Sequence, residues 1–274
     1  MTQAITTKPR TVKQPRRQPL PPMSSPEWIA RRNAEMMKRG PSQTLDQGDP
    51  QGAVGHAYGI HKTTWLIRAY RELHRKLAMD ITPQQVVDVL VKAGVKKWVL
   101  MGLHGYIGYF AEPRTTQDVD IMVAPSERKK SVKAIQAEWP TLIVEQYSEV
   151  VRFKDPNDLG PDGRPKSVID IMNPWASFQQ TILKEHVLID KITKHRIPRL
   201  EAALVAKYAA MISAMRVFDK KQQDAVDFRR MVRANFDRID REVLRTLAEE
   251  VWSGGADDVE QLVEKTIRNE AFTL

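Results

Sequence analysis

Residues 113–123 read PRTTQDVDIMV. Val119, Ile121 and Val123 alternate with Asp118, Asp120 and Met122, the two-residue period of a β-strand, so the aliphatic side chains share one face and both carboxylates the other. Two acids this close repel each other, and each requires solvation. A chain keeps such a pair on an otherwise apolar strand most readily where a cation sits between them. Residues 167–172, SVIDIM, form a second apolar strand in which Ile169 and Ile171 face one way and Asp170 the other. If the two strands are neighbours, Asp118, Asp120 and Asp170 converge on one patch. An all-oxygen donor set of that kind suits Mg²⁺, which keeps several waters and takes phosphate oxygens as further ligands. Two such ions clamp the attacking and leaving oxygens of a phosphoryl or nucleotidyl transfer. By spacing alone, surface acids on an open sheet face explain the pattern equally well.

The bulk composition narrows the classes. A chain of 274 residues with 42% hydrophobic content makes one large domain or two modest ones with an ample core. With no cysteine, disulfides and thiolate metal sites are excluded, and a cytoplasmic, reducing setting is the simpler expectation. No apolar run reaches the length of a membrane span, and no leader-like apolar core follows Met1. The formal charge is +9 and unevenly spread. The first 22 residues carry Lys8, Arg10, Lys13, Arg16 and Arg17, five prolines and no acid. Such a segment buries little and is expected to be a disordered tail, either without a fixed partner or finding nucleic-acid phosphates by counterion release.

Along the chain, Ser25-Pro26-Glu27 opens a helix to about Gly40, and a Gly-, Gln- and Pro-rich linker follows to Ile60. A helix near His61–Met79 is expected to bury the stripe Leu66, Ala69, Tyr70, Leu73 and Leu77. Thr82-Pro83 caps the next helix, which ends at Gly94. Strands are expected over 97–101, 117–123, 141–145, 149–153 and 167–172, with another near 186–191, and residues 155–165 (DPNDLGPDGRP) read as a turn-rich loop. Residues 102–111 and a basic segment from Ser126 read as helical, as does the chain after Pro198. The fold class is therefore α+β: a small mixed β-sheet flanked by helices, followed by a C-terminal helical bundle. The expected divisions are a tail over 1–24, N-terminal helices and linker over 25–80, a sheet domain over 81–197 and a helical domain over 198–274.

Taken together, VLMGLHGYIGYFAEPRTTQDVDIMV resembles the first motif of the nucleotidyltransferase superfamily in its minimal, toxin-like branch, the group of abortive-infection and toxin–antitoxin enzymes. Pro113, Arg114, Thr116, Asp118 and Asp120 match that motif position by position. Asp170 in VIDIM, Lys207 in IPRLEAALVAKYAA, and Asp224 and Asp227 in KQQDAVDFRRM follow in the family's order. The resemblance covers about Val86–Val232. It implies Mg²⁺, with two ions expected, held by Asp118, Asp120 and Asp170, with Asp170 also taking the acceptor's proton. Lys207 would neutralise triphosphate charge, and Gly102, Arg114, Thr116 and Asp224 would contact the nucleotide. An NTP would be the donor, and an RNA or tRNA end a possible acceptor, a direction the basic tail also supports. A cognate antitoxin is a further implied partner, and a membrane is not.

One departure stands out. The family carries Gly-Gly or Gly-Ser after its first strand, whereas this chain reads Gly102-Leu103-His104-Gly105. A bulky residue there would block close approach of phosphates. Either Gly102 alone serves, or the turn is rearranged with Gly105 contributing. Leu103 is also the feature that favours a non-catalytic alternative, a degenerate relative that binds nucleotide or a protein partner. His104 is assigned a structural role, His56 and His61 no metal, and the tryptophans Trp65, Trp98, Trp139, Trp175 and Trp252 positions in the core or an interface.

Overall fold

The structure is a computed structural model and describes residues 54–112, 114–190 and 193–272. The expected basic tail and first helix lie outside the described residues. Helix α1 (Val54–His74) and α2 (Pro83–Lys92) lead into strand β1 (Trp98–Leu100), the short α3 (Gly102–Tyr106) and a 3₁₀ turn over Ile107–Tyr109. Next come β2 (Val119–Val123), α4 (Pro125–Glu138), β3 (Ile143–Gln146), β4 (Val150–Leu159) and β5 (Pro165–Met172). Helix α5 (Ser177–Glu185) precedes a small antiparallel pair, β6 (Val187–Ile189) and β7 (Arg196–Pro198). The chain closes with α6 (Leu200–Ile212), α7 (Phe218–Asn235), α8 (Arg241–Glu249) and α9 (Gly255–Ile267). The α+β class read from the sequence is the one observed.

Five strands form a mixed sheet in the order β1-β2-β5-β4-β3, in which only β2 and β5 run parallel. Alternation sets its sides. Val119, Ile121, Ile169, Ile171, Val151 and Phe153 are buried in the core, and Asp120, Asp170 and Arg152 project from the opposite face. Helix α2 starts where the sequence indicates. The Thr82 side chain accepts from the Gln85 amide, and Gln85 returns the bond to the Thr82 amide, a reciprocal cap. Helix α6 is buried almost all round, which its Ala- and Leu-rich sequence permits, and forms the centre of the C-terminal helices.

Helix α1 departs from expectation. It begins inside the presumed linker, and the stripe expected to be buried faces out: Leu73 and Leu77 are 75% and 78% exposed. The inward face is Ile60, Thr63, Ile67 and Arg71 instead. Close backbone approach fixes this choice. A Cβ on Gly59 would stand 2.6 Å from Cγ1 of Ile107, and one on Gly108 3.1 Å from the His56 backbone. Arg71 adds a hydrogen bond from its guanidinium to the Gln117 carbonyl, 3.3 Å.

The segment 155–165 is not a long loop either. Strand β4 continues through it to Leu159, with a register shift, and β5 resumes at Pro165. Its polar residues find partners that a turn would not supply. Asp155 is buried and accepts the amides of Met79 (2.6 Å) and Asn157 (2.9 Å), and Asp158 pairs with Arg75 at 3.3 Å. Of the tryptophans, Trp98 is buried as expected, but Trp65, Trp175 and Trp252 are at least half exposed. They fill no core position.

Three buried imidazoles lie in this framework. His56 Nε2 is 3.1 Å from His195 Nδ1, and His195 Nε2 is 2.9 Å from Gln84 Oε1. Burial pushes His195 and His104 down to about 4 and His56 well below the ordinary 6.5, and for His195 this outweighs the opposing charges of Asp190 and Asp88. The unfolded chain therefore binds more protons than the folded one between pH 6.5 and about 4, so stability is full above pH 6.5 and is lost as pH falls through that window. Between pH 7 and 5 each imidazole should contribute a loss equivalent to about 2 kcal/mol, which the raised carboxyls of Asp120 and Asp170 oppose, so the single-histidine variant is the measurement that isolates it. His195→Phe should flatten that slope, and an unchanged slope would contradict it.

Candidate functional site

The parallel pairing of β2 with β5 sets Asp120 directly opposite Asp170. Adjacent strands stand about 4.8 Å apart, and equal register sends both carboxylates to one face. Asp118 lies just ahead of β2, where the Thr116 hydroxyl donates to its Oδ1. The Ser167 hydroxyl donates to Oδ1 of Asp170, and Arg152 Nε lies 3.6 Å from its Oδ2. The three acids singled out in the sequence are thus neighbours in the fold.

Gly102 closes this patch from the side of β1. It adopts φ +56°, a left-handed conformation open to glycine without penalty, and a Cβ there would stand 2.0 Å from Oδ2 of Asp120. Gly105 serves packing instead, since its Cβ would strike the Leu100 carbonyl oxygen at 2.3 Å and its absence lets α3 sit on β1. Leu103 is 3% exposed and belongs to the hydrophobic core. Of the turn's two glycines, Gly102 is the one that stands against the Asp120 carboxylate. His104 is buried, hydrogen-bonded to the Asp118 backbone. This matches the structural role expected for it.

Behind the acids lies a buried ion network. Lys207 Nζ on α6 donates to Asp224 Oδ1 at 2.8 Å and Asp227 Oδ2 at 2.7 Å, both on α7. Arg114 grips Asp227 with two bonds, Nε to Oδ1 at 2.9 Å and Nη2 to Oδ2 at 2.6 Å. Arg216, in the turn between α6 and α7, donates to Oδ2 of Asp224. Arg114 therefore pins its turn to Asp227. Asp224 and Asp227 are buried holders of cations. Lys207 is buried at 7% exposure and does not reach for solvent. Three cations against two carboxylates leave this network one positive charge in excess, beside the acids.

The electrostatics follow. Burial, then the charges of Asp118 and Asp170, hold the Asp120 carboxyl well above its ordinary range, while Lys207 and Arg216 pull the other way. Burial also raises Asp170, with the Ser167 bond and Arg152 opposing. For Asp227, burial alone would raise the group, but the Arg114 bond and the charge of Lys207 outweigh it, and its carboxyl sits below the usual value. Arg216 and Arg152 were not singled out in the sequence. Each is a lone arginine without a motif, and only the folded chain brings them to Asp224 and Asp170.

The donor chemistry fits a hard divalent cation. Oxygen is the only donor type offered by Asp118, Asp120 and Asp170, their mutual repulsion is only partly offset, and Gly102 leaves the space beside Asp120 clear of a side chain. Among the described residues no three such groups already stand in coordinating positions. The hydroxyls of Thr116 and Ser167 hold only the Oδ1 atoms of Asp118 and Asp170. Two open surface depressions lie elsewhere, among the C-terminal helices, one lined by Arg245, Glu249 and Glu250 and the other by Arg233, Phe236 and Asn269. Among the described residues no helix is long and apolar enough to cross a membrane.

No family model matches the chain, and no curated protein matches it by sequence. Among solved structures it is similar to an antigenic nucleotidyltransferase-like protein from Paracoccidioides brasiliensis, at 15% identity and a TM-score of 0.40 over 66% of this chain and 89% of that one. It is also similar to the Thermotoga maritima CCA-adding enzyme complexed with tRNA, at 11% identity and TM-score 0.27 over 70% and 53%. A third likeness is to Trypanosoma brucei terminal uridylyl transferase 4 with bound GTP, at 13% identity and TM-score 0.25 over 78% and 86%. Likenesses this loose leave function to be read from the residues themselves.

The network makes a graded prediction. Asp227→Ala strands the buried Lys207 with one carboxylate and frees Arg114, at an expected cost of about 3 kcal/mol in urea unfolding. Arg114→Ala should cost only about 1 kcal/mol, since Arg114 is partly exposed and Lys207 still neutralises Asp227. Equal costs would contradict the arrangement.

Proposed function

We propose that this chain is a Mg²⁺-dependent nucleotidyltransferase, moving a nucleoside monophosphate from an NTP to a hydroxyl acceptor. The observation that carries the reading is the in-register pairing of Asp120 with Asp170, with Asp118 two residues away and Gly102 against Asp120. Asp118, Asp120 and Asp170 would hold two Mg²⁺ ions. When bound, the metal supplies charge neutralisation for the phosphates and for the oxygens of the displacement.

The chain's own residues divide the remaining work. Asp170 takes the proton from the acceptor hydroxyl. The acceptor oxygen forms its bond to the α-phosphorus, the α–β phosphoanhydride bond breaks, and pyrophosphate leaves with the electron pair. Lys207 and Arg216 place positive charge behind Asp120, where the outgoing phosphates gain negative charge. Asp224 and Asp227 position both Lys207 and Arg114, so they act on the nucleotide through these cations. The degenerate, non-catalytic alternative rested on Leu103. The burial of that side chain in the hydrophobic core favours the transferase reading over this alternative. The toxin-type assignment, with its cognate antitoxin, rests on the motif resemblance alone.

Two experiments test the reading. Incubation with Mg²⁺ and each α-labelled NTP in total cellular RNA should give a labelled product, lost at least a hundredfold in Asp118→Asn, Asp120→Asn and Asp170→Asn. Persistence of transfer in these variants, or a Mg²⁺-dependent NTP thermal shift that survives them, would count against it. Gly102→Ala should abolish that thermal shift while costing about 1–2 kcal/mol of stability, the penalty of a left-handed residue with a Cβ. Leu103→Ala should destabilise more, by about 2–4 kcal/mol, yet leave Mg·NTP affinity within about twofold. The reverse ranking would place Leu103 in the site.

A further inference from the structure

The row of side chains that contains the two strand acids does not stop at Asp170. Asp170 faces Arg152 across β5 and β4, and Arg152 faces Glu145 across β4 and β3. Asp120, Asp170, Arg152 and Glu145 therefore stand side by side on one face, each about 4.8 Å from the next. Arg152 occupies the side of Asp170 away from Asp120. Its side chain is 46% exposed.

Beside Arg152 stands an aromatic ring held in place from several sides. The Arg152 guanidinium carbon lies 5.5 Å from the centroid of Tyr147. The Tyr147 hydroxyl donates to Glu145 Oε2 at 2.8 Å, and Lys154 Nζ donates to Oε1 of the same carboxylate at 2.7 Å. Arg128 Nη2 donates to the Tyr147 carbonyl at 2.7 Å, while Asn173 Nδ2 donates to that of Ser148 at 3.3 Å. Despite these ties Tyr147 remains 47% exposed. An exposed ring anchored at its hydroxyl and backbone is a stacking platform with little ordering left to lose on binding.

We propose that Arg152 and Tyr147, supported by Lys154 and Arg128, form the acceptor subsite and select the terminal nucleotide of a single-stranded nucleic acid. This rests on the transferase reading above. Arg152 takes the phosphate that precedes the terminal sugar, Tyr147 stacks a base, and the terminal hydroxyl is delivered to Asp170, one strand away. The same arginine repels cationic acceptors such as aminoglycosides, since a positive group approaching Asp170 from this side meets the guanidinium first.

Photo-crosslinking of the full-length protein tests the subsite without turnover. A single-stranded oligoribonucleotide carrying 4-thiouridine at its 3′ end should crosslink to the peptide containing Tyr147 and Arg152. A crosslink confined to other peptides, or none, overturns the proposal. In transfer assays with that RNA, Tyr147→Ala should raise the acceptor KM about tenfold with kcat within threefold, and Tyr147→Phe, which keeps the ring but loses its hydroxyl anchor, should raise it by clearly less. Arg152→Ala should raise the acceptor KM at least tenfold and leave the Mg·NTP thermal shift in place. Unchanged acceptor KM in both alanine variants, or wild-type preference for a cationic small molecule over RNA, would sink it. Absence of transfer by the wild type to any acceptor would instead be a failure of the transferase reading, and the crosslink would still decide whether RNA occupies this surface.

Discussion

Like charge held at short range is the constraint around which this protein is arranged. Asp120 and Asp170 occupy equivalent positions on the two parallel strands at the middle of the sheet, so their repulsion cannot be relieved by a rotation of either strand. The aliphatic residues on the reverse face hold that register, because a slip by one residue would turn Ile121, Ile169 and Ile171 out of the core. The surroundings then offset part of the cost. Lys207 and Arg216 lie behind Asp120, Arg152 flanks Asp170, and hydroxyls from Thr116 and Ser167 satisfy one oxygen each on Asp118 and Asp170. The compensation is partial, as the elevated Asp120 carboxyl indicates, and a divalent cation is the kind of group that would supply the missing positive charge.

The buried ion network joins parts of the chain that are far apart in sequence. Arg114 comes from the turn before β2, Lys207 from α6, and Asp224, Asp227 and Arg216 from α7 and the turn before it. Ion pairs of this kind add little net stability compared with an apolar filling of the same space, but they fix where charges stand. Here the outcome is a net positive charge positioned behind a cluster of acids, with each carboxylate of the network shared between two cations. Removing a carboxylate therefore disturbs both the fold and the field at Asp120, and the two effects are separated by the contrast between Asp227 and the partly exposed Arg114.

Some features were legible in the sequence because they depend on local rules. The period-two alternation in β2 and β5 assigned facing directions to Asp118, Asp120 and Asp170 before any pairing was known, and Thr82-Pro83 marked the start of α2 to the residue. Other readings failed where a long-range contact overrode the local pattern. The apolar stripe of α1 was sound as a periodicity but not as a direction, since Gly59 and Gly108 permit a close approach on the other side of the helix. The 155–165 segment has turn-forming residues, yet Asp155 and Asp158 are bound by Met79, Arg75 and their neighbours and the ladder carries on past Pro156.

What the sequence determined by itself was the α+β class and the face of its strand on which each of Asp120 and Asp170 stands, since both follow from side-chain periodicity within a few residues. Which strands are neighbours was decided only by the tertiary structure, and with it the row from Asp120 through Asp170 and Arg152 to Glu145. The direction taken by Leu103, the partner of Arg114 and the recruitment of Arg216 were decided there as well. Burial and ion pairing depend on what lies across a gap in space, and nothing in the order of residues along a chain encodes that gap until the core has closed around it.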